Sequence, residues 1–233
     1  LTKFGKVDML WYDFSYDDMG HEQWQSEKLL KMIRELQPNI ILNDRLDLDH
    51  GWDIKTREQI QVREWVRVNG RPVVWEACQT FSGSWGYHRD EETWKSVDML
   101  VKMLVDSVSK GGNLLLNVGP TGRGEFDERA LDRLTGIGEW MRRHERSIYG
   151  CTQAPSEFKA PDDCRFTYNP VTNRLYLHVF SWPYRHIHLD GIADRIEYAQ
   201  LLNDASEIKM LHNIPEASYG AMREVRNAKT VTL

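Results

Sequence analysis

The run Asn113-Leu114-Leu115-Leu116-Asn117-Val118 is nearly all apolar and six residues long. A strand with one face in water alternates polar and apolar residues, whereas a strand covered on both faces need not. The run therefore predicts a strand inside a parallel sheet with helices packed over it. The preceding sequence repeats the arrangement. Residues 7–13 read as a strand. Residues 22–36 read as a helix, with Trp24, Leu29, Ile33 and Leu36 near helical spacing and Pro38 at the exit. Residues 39–45 read as a second strand that ends on polar residues, 46–71 as a long polar loop, and 72–78 as a third strand. A helix over 91–110 ends at Lys110-Gly111-Gly112, and another covers 125–145. Strand and helix alternate throughout, which predicts an α/β fold with about four βα units, half of a (β/α)8 barrel.

After about residue 150 the period changes. Arg165–Tyr168 and Arg174–Phe180 flank the turn Asn169-Pro170-Val171-Thr172-Asn173 and read as a hairpin. Short strands follow at 185–189, 195–202 and 207–211. The expected organisation is a barrel half over 1–149 and a small all-β, sandwich-like domain over 150–233. Leu1–Gly5 reads as a helix tail closed by glycine, which suggests an N-terminal part outside this sequence.

Composition narrows the chemistry. The formal net charge is −5 over 233 residues and no basic stripe appears, so no nucleic-acid partner is expected. No apolar stretch reaches the ~18 residues of a membrane span. The three cysteines, Cys78, Cys151 and Cys164, show no zinc spacing and read as reduced thiols of a cytoplasmic protein. His178, His186 and His188 fall in the β region without a ligand pattern, so no metal or other cofactor is expected. The segment Gly119–Gly124 is glycine-rich but fits neither phosphate-binding pattern and reads as a strand-to-helix turn.

Against that background the carboxylates stand out. Val7-Asp8-Met9-Leu10-Trp11-Tyr12-Asp13 is an apolar run that ends on an acid just after two aromatic residues. In parallel α/β sheets ligands bind at the C-terminal ends of the strands. Two more acids, Glu58 on the polar loop and Glu76 near the end of the third strand, give the pair of carboxyl groups that glycoside hydrolysis needs. From the scaffold alone Glu76 is the better-positioned partner for Asp13. Arg45, at the end of the neighbouring strand, could hold Asp13 ionised. The ordinary alternative is an ion pair between Arg45 and Asp44 or Asp47.

Taken together, Leu10-Trp11-Tyr12-Asp13, Asn43-Asp44-Arg45, Lys55-Thr56-Arg57-Glu58-Gln59, Trp75-Glu76, Ser84-Trp85-Gly86-Tyr87 and Gly111–Thr121 resemble, in content and order, the α-L-fucosidases of glycoside hydrolase family 29. The resemblance implies the C-terminal half of a TIM-like catalytic barrel plus the following β-sandwich. It implies release of terminal α-L-fucose from fucosylated oligosaccharides or glycoconjugates, with retention and without a metal. Asp13 corresponds to the family nucleophile. Glu58 corresponds to the acid/base, with Glu76 as the alternative, and Trp11, Arg45 and Trp85 correspond to substrate-binding residues. A general acid works best beside apolar rings, here Trp52 or Trp85. A half barrel also leaves its first strand unpaired on one edge. That predicts either self-association into a homo-oligomer or a missing N-terminal half. The rival function is a weak or inactive fragment acting as a carbohydrate-binding or self-associating module. A weaker one is action on galactose.

Overall fold

The computed structural model describes residues 1–13, 18–211 and 230–233. They form two compact units, residues 1–80 with 112–117, and residues 81–111 with 118–233. The boundary expected at 149/150 falls inside the second unit.

The first unit holds five parallel strands. β1 (Met9–Leu10) is followed by two helices, α1 (His21–Trp24) and α2 (Ser26–Leu36), then β2 (Ile41–Leu42) and β3 (Lys55–Glu58). A small antiparallel pair, β4 (Arg67–Val68) and β5 (Arg71–Pro72), precedes β6 (Trp75–Thr80), and β7 (Asn113–Asn117) completes the unit. β1 pairs with β2, and β3–β6–β7 form a second parallel sheet. The parallel bridge Asn43–Ile54 links the two.

Two expectations change here. The predicted polar loop 46–71 contains a strand of the parallel sheet, so Glu58 ends β3 rather than riding a loop. The four expected βα units become five parallel strands: no helix separates β2 from β3, and the β4–β5 hairpin takes the helix's place before β6. That hairpin turns on Asn69-Gly70, both at positive φ (50° and 76°), the pairing that a two-residue primed turn favours.

β6 is buried at all six positions, including Glu76 and Gln79. Trp75 is fully buried at its start and packs with Val66 and Ala77. A side chain at Gly112 would run into the Trp75 indole, so this glycine is needed for close approach. A separate cluster of Leu30, Ile33, Ile40, Leu42 and Leu46 seats α2 against β2. Arg34 staples the region between them: it donates to Ile40 O at 2.5 Å, to Gly51 O at 2.9 Å and to Asp53 Oδ2 at 2.7 Å. Gly5 takes positive φ, and Gln37 Nε2 donates to the carbonyls of Leu1 and Gly5; among the described residues, 1–4 are not helical.

The second unit joins α3 (Val97–Val108) and α4 (Glu128–His144) to the C-terminal strands. Each helix starts on a side-chain cap, Ser96 Oγ accepting from Met99 N and Asp127 Oδ1 from Arg129 N. α4 ends on Arg142, Arg143 and His144, which complement the helix dipole. β8 (Thr152–Gln153), β9 (Cys164–Asn169) and β10 (Arg174–Val179) form one antiparallel sheet, with β9–β10 the expected hairpin. β11 (His188–Leu189) pairs with the last strand, and β12 (Ala199–Gln200) with β13 (Glu207–Ile208). That last strand is β14 (Val231–Thr232). The strands expected at 185–189, 195–202 and 207–211 shorten to these pieces, the second beginning as a helical turn at Ala193–Arg195. The three cysteines are free.

Of His178, His186 and His188, the first is structural. Thr167 Oγ1 donates to Ser147 O at 2.7 Å, so its lone pair accepts from His178 Nε2–H at 3.0 Å. Burial, with His144 nearby, pushes the His178 imidazole down to about 4. The folded protein therefore resists a proton that the unfolded chain takes up near pH 6.5. Stability should fall as pH drops from about 6.5 to about 4 and level off below, by about 3 kcal/mol for this group. Thermal unfolding of the parent and of His178→Gln across that window checks it: the parent should lose more of its midpoint than the variant. His186 and His188 rings stand 6.3 Å apart, and no metal-holding cluster occurs among the described residues.

Candidate active site

The site is assembled from three strand exits of the first unit. Trp11 and Asp13 follow β1, Arg45 follows β2, and Glu58 is the last residue of β3. These are the C-terminal ends of parallel neighbours, which point the same way.

Arg45 stands at the centre. Its Nη1 donates to Asp13 Oδ1 at 3.1 Å and its Nη2 donates to Glu58 Oε2. Its guanidinium carbon lies 4.7 Å from the centre of the Trp11 ring. One planar cation thus carries a carboxylate on each terminal nitrogen and an indole beneath it. The rival pairings for Arg45 are otherwise engaged: Asp44 meets Lys55 Nζ at 3.2 Å, and Asp47 accepts from His21. The Asp13 side chain is 71% exposed, so its carboxylate faces solvent rather than a packed interior. Arg45 is 18% exposed and Glu58 37%. Glu58 thus rests on Arg45, while Trp52 stacks on the Lys55 ammonium at 4.1 Å.

Glu76 occupies a different environment. β6 begins at Trp75, so Glu76 is its second residue and not near its end as the sequence suggests. It is 5% exposed. One oxygen, Oε1, accepts from Trp11 Nε1 at 2.5 Å and from Thr56 Oγ1 at 2.9 Å. Glu76 therefore fixes the indole on which Arg45 lies. Cys78, two residues on, has its thiol pushed up to about 11 by burial, with the Glu58 charge adding to the effect. It is an inert thiol in this setting.

Two residues of the sequence motif do work that their side-chain types alone did not reveal. Asn43, 1% exposed, accepts from Tyr12 N at 2.9 Å and donates to Tyr12 O at 2.7 Å. Asp44 Oδ1 accepts from Thr56 N at 2.9 Å. The signal in the sequence was the polar exit Asn43-Asp44-Arg45 after an apolar strand. A shallow hollow lined by Leu30, Leu42, Leu46 and Trp52 reaches Asn43 and Asp44 but neither Asp13 nor Glu58.

Trp85 belongs to the second unit, on a loop that braces itself. Glu91 accepts from Thr93 Oγ1 at 2.5 Å, from Thr93 N at 2.7 Å and from Ser84 Oγ at 2.8 Å, and these bonds hold its carboxyl down at about 2. Trp85 is 41% exposed, and Gly119 packs against the backbone of Gly86 and Tyr87, where any side chain would collide.

The chain as a whole resembles known proteins. The α-L-fucosidase family model matches residues 1–146. The plasma α-L-fucosidase of Rattus norvegicus is 35% identical over 194 residues, 78% of this chain and 41% of the rat protein. Among solved structures, α-L-fucosidase isoenzyme 1 from Paenibacillus thiaminolyticus superposes with a TM-score of 0.85 at 35% identity, over 99% of this chain and 58% of that one. The Thermotoga maritima α-fucosidase in complex with a mechanism-based inhibitor gives 0.72 at 28% identity, over 97% and 48%. The chain thus spans about half the length of the proteins it resembles. With the family model covering well over half of its residues, the chain belongs to the α-L-fucosidase family.

Proposed function

We propose that this chain carries the nucleophile and acid/base of a retaining α-L-fucosidase acting on terminal α-L-fucose of fucosylated glycans. The observation that supports the reading is Arg45 with Asp13 on one nitrogen and Glu58 on the other. In the first step an Asp13 oxygen bonds to C1 of fucose while the C1–O bond to the aglycone breaks and Glu58 protonates the departing oxygen. In the second, Glu58 takes a proton from water, which attacks C1 and releases Asp13. Retention of configuration follows when the two carboxyl groups flank the bond at about 5–5.5 Å. Trp11 offers the sugar an apolar face, and Trp85 is proposed as a further substrate-binding residue. The five parallel strands would belong to a (β/α)8 barrel within residues 1–149, and residues 150–233 to the β-sandwich. The remaining barrel strands would come from further chain or from a second copy.

The test is covalent. A 2-fluoro-α-L-fucosyl fluoride should add one fluorofucosyl mass to the peptide containing Asp13, and an aryl α-L-fucoside should be turned over. Fucose binding without turnover or labelling would instead identify a carbohydrate-binding module.

Glu76 is assigned to holding Trp11, not to proton transfer. Glu76→Gln keeps an oxygen acceptor for Trp11 and Thr56, so kcat should fall by no more than about tenfold. Glu76→Ala leaves two donors without a partner and should cost about 1–3 kcal/mol of stability as well. Steady-state kinetics with unfolding curves separate the two effects. A loss in Glu76→Gln that azide restores would make Glu76 the acid/base.

A further inference from the structure

We infer that Asn43 and Asp44 are positioning residues, each governing one of the two catalytic carboxylates. The inference deepens the fucosidase reading and rests on it. The argument begins with an opening in the sheet. The β1–β2 ladder runs for two residue pairs, Met9 with Ile41 and Leu10 with Leu42, and the sheet that holds β3 joins β2 through the Asn43–Ile54 bridge. Beyond these points the strands part, which makes room for Arg45 between Asp13 and Glu58. Parting frees backbone groups that a continuous ladder would have paired, and buried ones must find other partners.

Two consecutive side chains supply them, on opposite sides of β2. Asn43 takes both polar groups of Tyr12, reproducing with one amide the two bonds of a strand neighbour. Tyr12 directly precedes Asp13, so this clamp sets the direction in which the chain delivers the nucleophile. The Tyr12 ring packs against the Leu30–Leu46 cluster, and its buried hydroxyl has no hydrogen-bond partner among the described residues. The Asn43 amide is thus its polar anchor. Asp44 takes Thr56 N on the other side, and its second oxygen meets Lys55 Nζ. Thr56 and Glu58 are two apart on one strand, so their side chains share a face. Anchoring Thr56 therefore sets the height of Glu58. Arg45 comes next in the chain and touches both carboxylates. Asn43-Asp44-Arg45 acts as one spacer, with a separate arm for each acid.

The separation makes the claim testable, because the two arms predict different kinetics. A misplacement of about 1 Å costs about 10²-fold in rate. Asn43→Ala should therefore lower kcat/KM about 10²-fold for every fucoside, whatever its leaving group, because attack by Asp13 is always required. Asp44→Ala should lower kcat/KM by a similar factor for a fucosyl disaccharide but by less than threefold for a dinitrophenyl fucoside, whose leaving group needs no acid. Asp44→Asn keeps the acceptor for Thr56 N and should restore the disaccharide rate. Amide hydrogen exchange gives a readout independent of turnover. Asn43→Ala should speed exchange at Tyr12 and leave Thr56 protected, and Asp44→Ala should do the reverse. Where Asn43→Ala fails to fold, Asn43→Asp retains the acceptor for Tyr12 N and loses only the donor to Tyr12 O. Equal leaving-group dependence in the two variants, or unchanged exchange at both amides, overturns the inference. A parent chain without turnover sinks the fucosidase reading alone, since exchange still decides the clamps.

Discussion

Asp13→Gly should lower kcat on an aryl α-L-fucoside by at least about 10⁴-fold, because it removes the atom that attacks C1. The loss should be chemical rather than structural. Asp13 is mostly exposed and its hydrogen bond is to Arg45, so the fold depends little on it. The stability change should stay within about 1 kcal/mol. Added azide should restore turnover in this variant, because the space left by the carboxylate admits a small anion beside the Arg45 guanidinium. The azide must enter from the face that Asp13 occupied. The product should then be the β-fucosyl azide, inverted at the anomeric carbon, which NMR distinguishes from the α form. Turnover unchanged in Asp13→Gly would remove the assigned nucleophile, and an α-fucosyl azide would place the attacking group elsewhere.

The elements legible in the sequence were those marked by a residue pattern. β7 was legible as a strand from its apolar run and α2 as a helix from its spacing. The burial expected on both faces of β7 does not hold: β7 is the edge of its sheet, none of its five positions is buried, and Leu115 is 40% exposed. The β9–β10 hairpin was marked by Asn169-Pro170 and Asn173, the last of which takes φ of 52° in the turn. β3 was not legible. Lys-Thr-Arg-Glu has no apolar residue, and its place in the sheet comes from pairing with β6 and from the Asp44 and Glu76 side chains, all distant in sequence. The same cause hid the environment of Glu76. A shift of the strand start to Trp75 turns a residue near the strand's end into one at its beginning. Compactness also follows contacts that periodicity does not carry. The sequence period changes at about 150, yet Val105 of α3 and Trp140 of α4 pack with Ile148, Cys151 and Phe180, and Arg165 bonds to Asp106 at 2.9 Å. Helices and β-strands therefore fall in one unit. Arg45 was legible as a partner for Asp13, but its second arm to Glu58 needed the strand that the sequence concealed.

Glu58→Ala should separate the two candidate acids. General acid catalysis contributes about 10²–10⁴-fold, and it matters most when the departing oxygen is basic. For a fucosyl disaccharide kcat/KM should fall across that range. For a dinitrophenyl fucoside it should change little, because that leaving group departs unprotonated. The second step then limits turnover, since no base remains to activate water, and the fucosyl-enzyme accumulates. Azide needs no base. It should raise kcat with the activated substrate and yield α-fucosyl azide, since it attacks an intermediate already inverted once at Asp13. The two variants are thus expected to give azides of opposite configuration, β from Asp13→Gly and α from Glu58→Ala. A merely structural defect in either could not produce that pairing. The loss of Glu58 also leaves Arg45 Nη2 without its carboxylate, but this affects both substrates alike and so cannot mimic the leaving-group dependence. If Glu76→Ala rather than Glu58→Ala showed that dependence together with the α-azide, the proton would travel through the buried carboxyl beneath Trp11, and Glu58 would serve only to hold Arg45 in place.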